Sequence, residues 1–232
     1  MTVTAPQNKP QDKVLDAVII GAGFTGLYQL WSLRKLGLNV RVIDAASGHT
    51  TTISWDKTFA VREAEWVGAS PRIIALLAAK TSRSLPGSED RLLLFDATSG
   101  ECLQTTLNSS VINAMAVSSD GTLFAEGGAD RMVRLRDTQT LAIKQELRVH
   151  DGPIMALAFH PAHPILATAS EDLTIKLWNL ADGKLIEELS GPVGPPRQLV
   201  FSLNGRRLAC LSGDRSMRIW NLDAIPDSKK SD

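Results

Sequence analysis

The residues best suited to chemistry are three glycines near the N-terminus, Gly21, Gly23 and Gly26. They form the run GAGFTG, which follows a predicted strand and opens a predicted helix. In that setting a G-x-G-x-x-G turn lets the backbone approach a pyrophosphate, while the helix N-terminus faces the phosphates. Asp44 ends the next predicted strand, 18 residues after Gly26, where its carboxylate would accept hydrogen bonds from a ribose. These four residues predict a site for a dinucleotide.

A βαβ unit is predicted to position these residues. Residues 16–44 read as an apolar strand, a glycine turn, an amphipathic helix and a second β-rich strand. The stretch GAGFTGLYQLWSLRKLGLNVRVIDA resembles the FAD-binding start of flavin-dependent monooxygenases of the Baeyer-Villiger type, over residues 14–46. The resemblance implies that the glycine turn and Asp44 hold FAD.

Other parts of that family's pattern do not follow. Its members are much longer and carry a second dinucleotide-binding unit for NADPH and a His-containing fingerprint, neither of which is found in this sequence. The Gly-Gly-x-Trp segment expected after Asp44 is replaced by AASGHTTTISWDK. A single βαβ also lacks the other strands that build a nucleotide crevice. The favoured interpretation is therefore a unit without a cofactor, and FAD binding is the alternative.

A repeated unit fills most of the remaining chain. The segments SEDRLLLFD, GADRMVRLRD, SEDLTIKLWN and SGDRSMRIWN recur, and their aspartates stand at intervals of 40, 42 and 42 residues: Asp90, Asp130, Asp172 and Asp214. A period of about 40 to 45 residues with a Trp-Asp-like dipeptide is typical of propeller blades. Each unit contains four predicted strands. Because one such sheet leaves its faces unburied, each blade depends on its neighbours.

Residues 72–223 resemble the blades of WD-repeat β-propellers. In that family a His, a Ser or Thr, an Asp and a Trp form a hydrogen-bonded row that braces each blade. His150, Thr168, Asp172 and Trp178 match this row in residue type and order. The resemblance implies a structural role for these four residues, with few buried polar atoms left unpaired.

The other three units are predicted to carry degraded rows. The second has Glu126 and Arg136 where Thr and Trp are expected, and the fourth has Cys210 in place of the hydroxyl. The first has Asp90 followed by Phe95, one residue short of the Trp position. The strand pattern still returns in every unit, so about four blades are predicted.

No catalytic or metal-binding residues are predicted. His160 and His163 stand three apart in HPAHP, but the prolines favour a turn. No cysteine or carboxylate cluster joins them to complete the four ligands that zinc requires. Asp56, Glu63 and Glu65 have no neighbouring His or nucleophile and are predicted to lie on a solvated surface.

Composition and cysteine usage favour a cytoplasmic protein. The 25 Lys plus Arg residues balance the 25 Asp plus Glu residues, so bulk charge gives no reason to expect nucleic acid or a membrane as partner. The two cysteines do not suggest a disulfide framework. The first residues are polar and contain no apolar core of signal-peptide length.

The predicted fold class is mainly β, with about four WD-repeat-like propeller blades preceded by a single βαβ (Rossmann-like) unit. The predicted boundaries are a flexible leader (1–13), the βαβ unit (14–46), a linker or degraded blade (47–71), the blades (72–223) and a flexible tail (224–232). The predicted function is a non-catalytic protein-interaction scaffold without a cofactor, whose loops bind proteins and whose open blade edges allow homo-oligomers. The alternatives are an FAD-binding, monooxygenase-related flavoprotein and a chimeric junction product with no single function.

Overall fold

The chain forms two compact units, Met1–Thr52 and Ile53–Asp232. A computed structural model describes them over these residues: 17–20, 40–43, 59–79, 90–108, 110–190 and 194–222. These stretches contain strands and turns. None of them holds a helix long and apolar enough to cross a membrane.

The first unit is described through two short strands, β1 (Ala17–Ile20) and β2 (Val40–Ile43). The two strands pair in parallel over all four residues. A parallel pair requires a crossover connection, and the helix predicted there lies outside the described residues. The same holds for the four predicted dinucleotide-binding residues: Gly21, Gly23, Gly26 and Asp44. The βαβ unit is therefore described by its two strands alone.

Within its described residues, the second unit contains four antiparallel sheets, the blades, each formed by strands consecutive in the chain. The first blade contains β3 (Phe59–Trp66), β4 (Arg72–Ala79), β5 (Asp90–Asp96) and β6 (Cys102–Asn108). The second contains β7 (Ile112–Val117), β8 (Leu123–Gly128), β9 (Met132–Asp137) and β10 (Ile143–Arg148). The third contains β11 (Ile154–Phe159), β12 (Ile165–Ser170), β13 (Thr174–Asn179) and β14 (Leu185–Ser190). The fourth contains, among the described residues, β15 (Pro196–Phe201), β16 (Arg207–Ser212) and β17 (Met217–Asn221). The prediction of a mainly β chain with four blades is confirmed.

The first blade begins earlier in the chain than the sequence predicts. The segment 47–71, predicted to be a linker or a degraded blade, contains β3. This strand pairs with β4, from Phe59 opposite Ala79 to Trp66 opposite Ile73. Of the two predicted alternatives, the segment therefore belongs to a blade, whose described residues begin at Phe59.

Two glutamates obscure the repeat in β3. Backbone hydrogen bonds at the following turn place Glu63 and Glu65 at the positions that Ala114 and Ala116 occupy in β7. Both side chains are partly exposed rather than fully solvated as predicted, and Asp56, which was predicted together with them, lies outside the described residues. Burial raises the pKa of Glu63 to about 7, and burial together with the charge of Glu63 raises the pKa of Glu65 to about 8.

The hydrophobic core lies between successive blades. We call the face that packs on the following blade the front face, and the opposite one the back face. In β12 all six residues are buried, because alternate side chains point to the second and the fourth blade. Leu166 packs in the core shared with the second blade, whereas Ala167 and Ala169 pack in the core shared with the fourth.

Glycines let the turns between first and second strands meet those of the neighbouring blade. Gly68 and Gly121 both have positive φ angles, +54° and +70°, and a Cβ atom on Gly68 would lie 2.9 Å from the Cα atom of Gly121. Gly205, with φ +71°, packs in the same way against the ring of His160. A side chain at these points would be strained by the backbone conformation and would also overlap its neighbour.

Candidate functional site

A row of hydrogen-bonded side chains crosses the back face of the third blade. His150 Nε2 lies 2.7 Å from Thr168 Oγ1, which also accepts a hydrogen bond from Trp178 Nε1 at 3.1 Å. On the other side of the ring, His150 Nδ1 lies 3.0 Å from Asp172 Oδ2. The structure thus brings together all four residues of the row suggested by the WD-repeat resemblance.

The protonation states of this row suit a structural brace. Burial lowers the pKa of His150, an effect that the carboxylate of Asp172 partly opposes. Burial of Asp172 acts to raise its own pKa, but hydrogen bonds from Thr174 and the charge of His150 outweigh it and lower the pKa to about 2. At neutral pH an ionised carboxylate therefore accepts from a neutral imidazole, and each group has several partners.

The second blade holds a row of different chemistry. Arg136 Nη2 donates to Glu126 Oε1 and to Asn108 Oδ1, each at 2.9 Å, while Asn108 Nδ2 donates to Glu126 Oε2 at 3.0 Å. Arg136 Nη1 also donates to the carbonyl oxygen of Leu141 at 2.8 Å. All three members of the row are buried. Within the described part of the chain, Arg136 Nε is the buried side-chain atom that lacks a hydrogen-bond partner.

This charged row stands where the third blade has His, Thr and Trp. Each of its members lies 42 residues before its counterpart, and Arg136 pairs with Phe124 as Trp178 pairs with Leu166. Glu126 and Arg136 therefore stand at the Thr and Trp positions, as predicted, but together with Asn108 they form a connected row of their own rather than the remnant of one. The guanidinium, carboxylate and amide groups of this row provide one another's hydrogen-bond partners across the sheet. A comparison of single residues with the His-Thr-Trp pattern does not show this.

In the first blade an apolar residue takes the Trp position. Phe95 lies opposite Ile73, as Trp178 lies opposite Leu166. Phe95 therefore stands at the Trp position itself, not one residue short of it. The distance from the aspartate to the Trp position is one residue shorter in this blade, because Asp90 is the first residue of β5, whereas the later aspartates lie in the turn before the strand.

In the fourth blade Cys210 occupies the Thr position, and Trp220 lies opposite Leu208 at the Trp position. Cys210 is buried, and this burial raises the pKa of its thiol. A thiol with a raised pKa is a poor nucleophile, because the thiolate is the reactive form. Cys210 is therefore suited to packing rather than to nucleophilic chemistry.

Sequence reasoning misses three exposed residues at one end of the blades, Arg131, Leu173 and Arg215. Each follows the recurring aspartate in the turn between the second and third strands of its blade. All three have positive φ angles, of +68°, +66° and +69°. The recurrence of a non-glycine residue directly after each aspartate is the signal that could have found them.

The turns fix these residues through equivalent hydrogen bonds. Their N–H groups donate to the carbonyl oxygens of Gly128, Ser170 and Ser212, respectively. In each turn the aspartate Oδ1 accepts the N–H group two residues later. A left-handed conformation costs a non-glycine residue about 1–2 kcal/mol. The second, third and fourth blades each carry this cost at the same point.

The two histidines of HPAHP lie in the turn between β11 and β12. His160 Nδ1 accepts hydrogen bonds from the N–H groups of Ala162 and His163, at 3.1 and 3.0 Å. This arrangement stabilises the turn, as the prolines predict. Nowhere in the described stretches do three or more potential metal ligands cluster.

A protein-family model described as "WD domain, G-beta repeat" matches residues 100–137, 142–179 and 183–221. The chain contains WD40 repeats. Each matched segment begins near the last strand of one blade and ends with the third strand of the next. One WD40 repeat of sequence therefore ties two neighbouring blades together.

The curated relatives match about a third of this chain. Striatin of Mus musculus is 40% identical over 80 residues, which are 34% of this chain and 10% of striatin. The human "WD repeat and HMG-box DNA-binding protein 1" is 33% identical over 70 residues, which are 30% of this chain and 6% of that protein. The chain thus spans a tenth or less of the length of these relatives.

Among solved structures, the one titled "Structure of U3-55K" has a TM-score of 0.63 with this chain at 20% sequence identity. The likeness covers 75% of this chain and 53% of the other. It supports the WD-repeat fold of the blades. The N-terminal segment 14–46 lies outside the matched WD40 segments, so its resemblance to flavin monooxygenases gains no support from them.

Proposed function

We propose that this chain is a non-catalytic protein-interaction scaffold whose partner binds at the end of the blades where Arg131, Leu173 and Arg215 lie. One observation carries the proposal: three successive blades each place an exposed non-glycine residue in a left-handed turn. Glycine would remove the conformational cost at each turn. Because all three blades have a non-glycine residue at this point despite its conformational cost, we infer that the side chains themselves have a role.

The order Arg, Leu, Arg along successive blades suits an acidic segment that carries an apolar side chain. A guanidinium group pairs with a carboxylate through two parallel hydrogen bonds. Leu173 lies between the two arginines in blade order and is exposed, so it offers an apolar contact. Because the braced blades hold the three turns in place, little conformational freedom is lost on binding.

The WD40 repeats and the relatives that share them favour a scaffold over an enzyme. One relative carries DNA binding in its name, so nucleic acid is a possible outcome of the test below. The balanced charge of this chain favours a protein partner, because nucleic-acid binding draws most of its affinity from an excess of Lys and Arg. The cytoplasmic location stays a prediction.

The test combines Arg131→Gly, Leu173→Gly and Arg215→Gly in one variant. Glycine removes the side chains and accepts positive φ angles, so this variant is expected to remain folded. Leu203→Ser is the matched control, since Leu203 is fully exposed in the turn between β15 and β16. The immobilised full chain is incubated with native lysate, and retained proteins are quantified by mass spectrometry.

We expect a stoichiometric protein that the wild type and the control retain and that the triple-glycine variant loses. Retention of the same proteins by all three chains would show that the turns are not the binding surface. Loss of the retained material on nuclease treatment would replace the protein partner by nucleic acid.

FAD binding by the first unit is the second candidate, and one observation favours it. β1 and β2 are parallel and end directly before the glycine run and Asp44, respectively. Strand ends at those points suit a phosphate-binding turn and a ribose-binding carboxylate. Flavin absorbance in the purified protein, or a higher melting temperature with added FAD, would support this candidate. The absence of both would remove it.

A further inference from the structure

The front face of the fourth blade is apolar and exposed. Met217 and Ile219 are 59% and 57% exposed, and Val200 and Leu211 are 51% and 42% exposed. Leu211 is paired with Met217, and Ala209 is paired with both Val200 and Ile219. Because paired residues, and residues two apart on one strand, point to the same side of a sheet, these side chains share one side. We call Val200, Leu211, Met217 and Ile219 the fourth-blade face.

The same positions are buried in the earlier blades. Ile175 and Leu177 stand 42 residues before the two members of the face on β17. Both are 0% exposed and pack in the core shared with the fourth blade. In the second blade Val133 and Leu135 are buried in the same way against the third. The fourth-blade face therefore has the composition of a contact between blades.

A blade that ended the array in water would be expected to have polar residues at these positions. Terminal units of repeat proteins carry a polar outer face, because an apolar one would be left in contact with solvent. Contiguous exposed apolar patches mark interaction surfaces. The occupant best suited to this face is the back face of another blade, because back faces already cover the fronts of the second and third blades.

The first blade offers such a back face. Trp66 and Ile73 lie opposite each other on β3 and β4, and both side chains are partly exposed. By strand register Ile73 is the counterpart of Phe124, Leu166 and Leu208, which are fully buried against a preceding blade. The first blade thus has a partly covered back face, and the fourth has an uncovered front face.

We propose that two copies of this chain associate head to tail, with the fourth-blade face of each copy packed on Trp66 and Ile73 of the other. This contact continues the blade-to-blade packing already present within the chain. Two copies contribute eight blades, which is within the usual range of about four to eight for closed propellers. A head-to-tail contact leaves one face open at each end of the assembly until the copies close into a ring. The chain matches 53% of the U3-55K chain, so a second set of blades completes a fold of that size.

The first test is the mass of the full chain in solution, by sedimentation velocity over a range of concentrations. We expect a species of twice the 25.1 kDa chain mass. Met217→Glu with Ile219→Glu should raise the dissociation constant by more than about 30-fold, since two central apolar contacts become charged. Both residues are exposed in the single chain, so the substitutions leave its own packing intact. Leu203→Glu, at a fully exposed residue away from the face, should leave the dimer unchanged.

A mixing experiment tests the head-to-tail arrangement. Trp66→Glu blocks the back face, whereas the double β17 variant blocks the front face, so each variant alone should be a monomer. An equal mixture keeps one intact pair of faces and should form a mixed dimer. A front-to-front dimer would not be restored by mixing, and that result would overturn the proposal. So would a wild type that stays monomeric, or one that grows into filaments.

Hydrogen exchange of the wild type provides a readout that does not depend on the folding of any variant. On dilution through the dissociation constant, both β4 and β17 should lose protection if the contact is head to tail. Loss confined to β17 would contradict it. These results are independent of the proposed binding surface at Arg131, Leu173 and Arg215, because the triple-glycine variant retains both faces and should still form the dimer.

Discussion

The charged row of the second blade provides a direct test of what these rows contribute to stability. Arg136→Trp places in the second blade the residue that the third blade has at this position. It also removes the donor to Glu126 and Asn108, and Glu126 is only 1% exposed. Removing one partner of a buried ion pair costs about 3–5 kcal/mol, because the other charge remains buried without compensation. A domain is stable by about 5–15 kcal/mol in total, so the loss should be large.

The third blade indicates how to restore the lost stability. Adding Asn108→His and Glu126→Thr to Arg136→Trp recreates the His-Thr-Trp row, with Asp130 standing where the third blade has Asp172. The wild-type row leaves Arg136 Nε without a partner, whereas the Thr168 hydroxyl bridges both His150 and Trp178. Replacing the whole ion pair is therefore expected to bring the triple variant within about 1–2 kcal/mol of the wild type.

The assay is urea unfolding followed by circular dichroism, for the wild type, Arg136→Trp, the double variant Asn108→His with Glu126→Thr, and the triple variant. The coupling free energy from this cycle measures whether the row acts as a unit. Arg206→Trp, at an exposed turn residue, is the control for introducing a tryptophan. A loss below about 1 kcal/mol for Arg136→Trp, or a triple variant no more stable than Arg136→Trp, would refute the reasoning.

Two further predictions concern the third and fourth blades. Asp172→Asn should lower the melting temperature at pH 7. The difference in melting temperature between wild type and variant should disappear as the pH falls from about 4 towards 2, because the folded-state pKa of Asp172 is about 2, below its usual 3.8. A difference in melting temperature that stays constant over this range would exclude the ionised carboxylate as its cause. Gly205→Ala should lower the urea midpoint more than Gly183→Ala. Both residues have φ near +70°, but a Cβ atom at Gly205 would overlap the ring of His160, whereas at Gly183 it would meet the flexible side chain of Gln145; equal losses would show that the ring moves aside at little cost.

Residue type and spacing are sufficient to predict the blades. The period of the aspartates and the strand pattern around them are properties of short segments, and the structure confirms four sheets built from them. The four residues of the third row could also be named in advance, because their types and order match the row that the WD-repeat resemblance implies. Each position in that row has one characteristic residue, and the hydroxyl, imidazole, carboxylate and indole bond to one another in a single arrangement.

Residue patterns mislead where a position has changed its chemistry. Glu63 and Glu65 conceal the first strand of the first blade, and Glu126 and Arg136 look like losses from a pattern. The hydrogen bonds that correct the second interpretation join residues 10 to 28 positions apart. Such pairs become neighbours only after the strands have paired, so their mutual satisfaction cannot be detected along the chain.

The sequence alone therefore determines that β-strands recur with a fixed period and that the resulting sheets have apolar faces. Only the tertiary structure decides which of these apolar faces are covered. Ile175 and Met217 occupy the same position of successive blades, yet one is buried and the other is exposed. The difference lies in the next blade, because burial is a property of the contact between two sheets and not of either strand by itself.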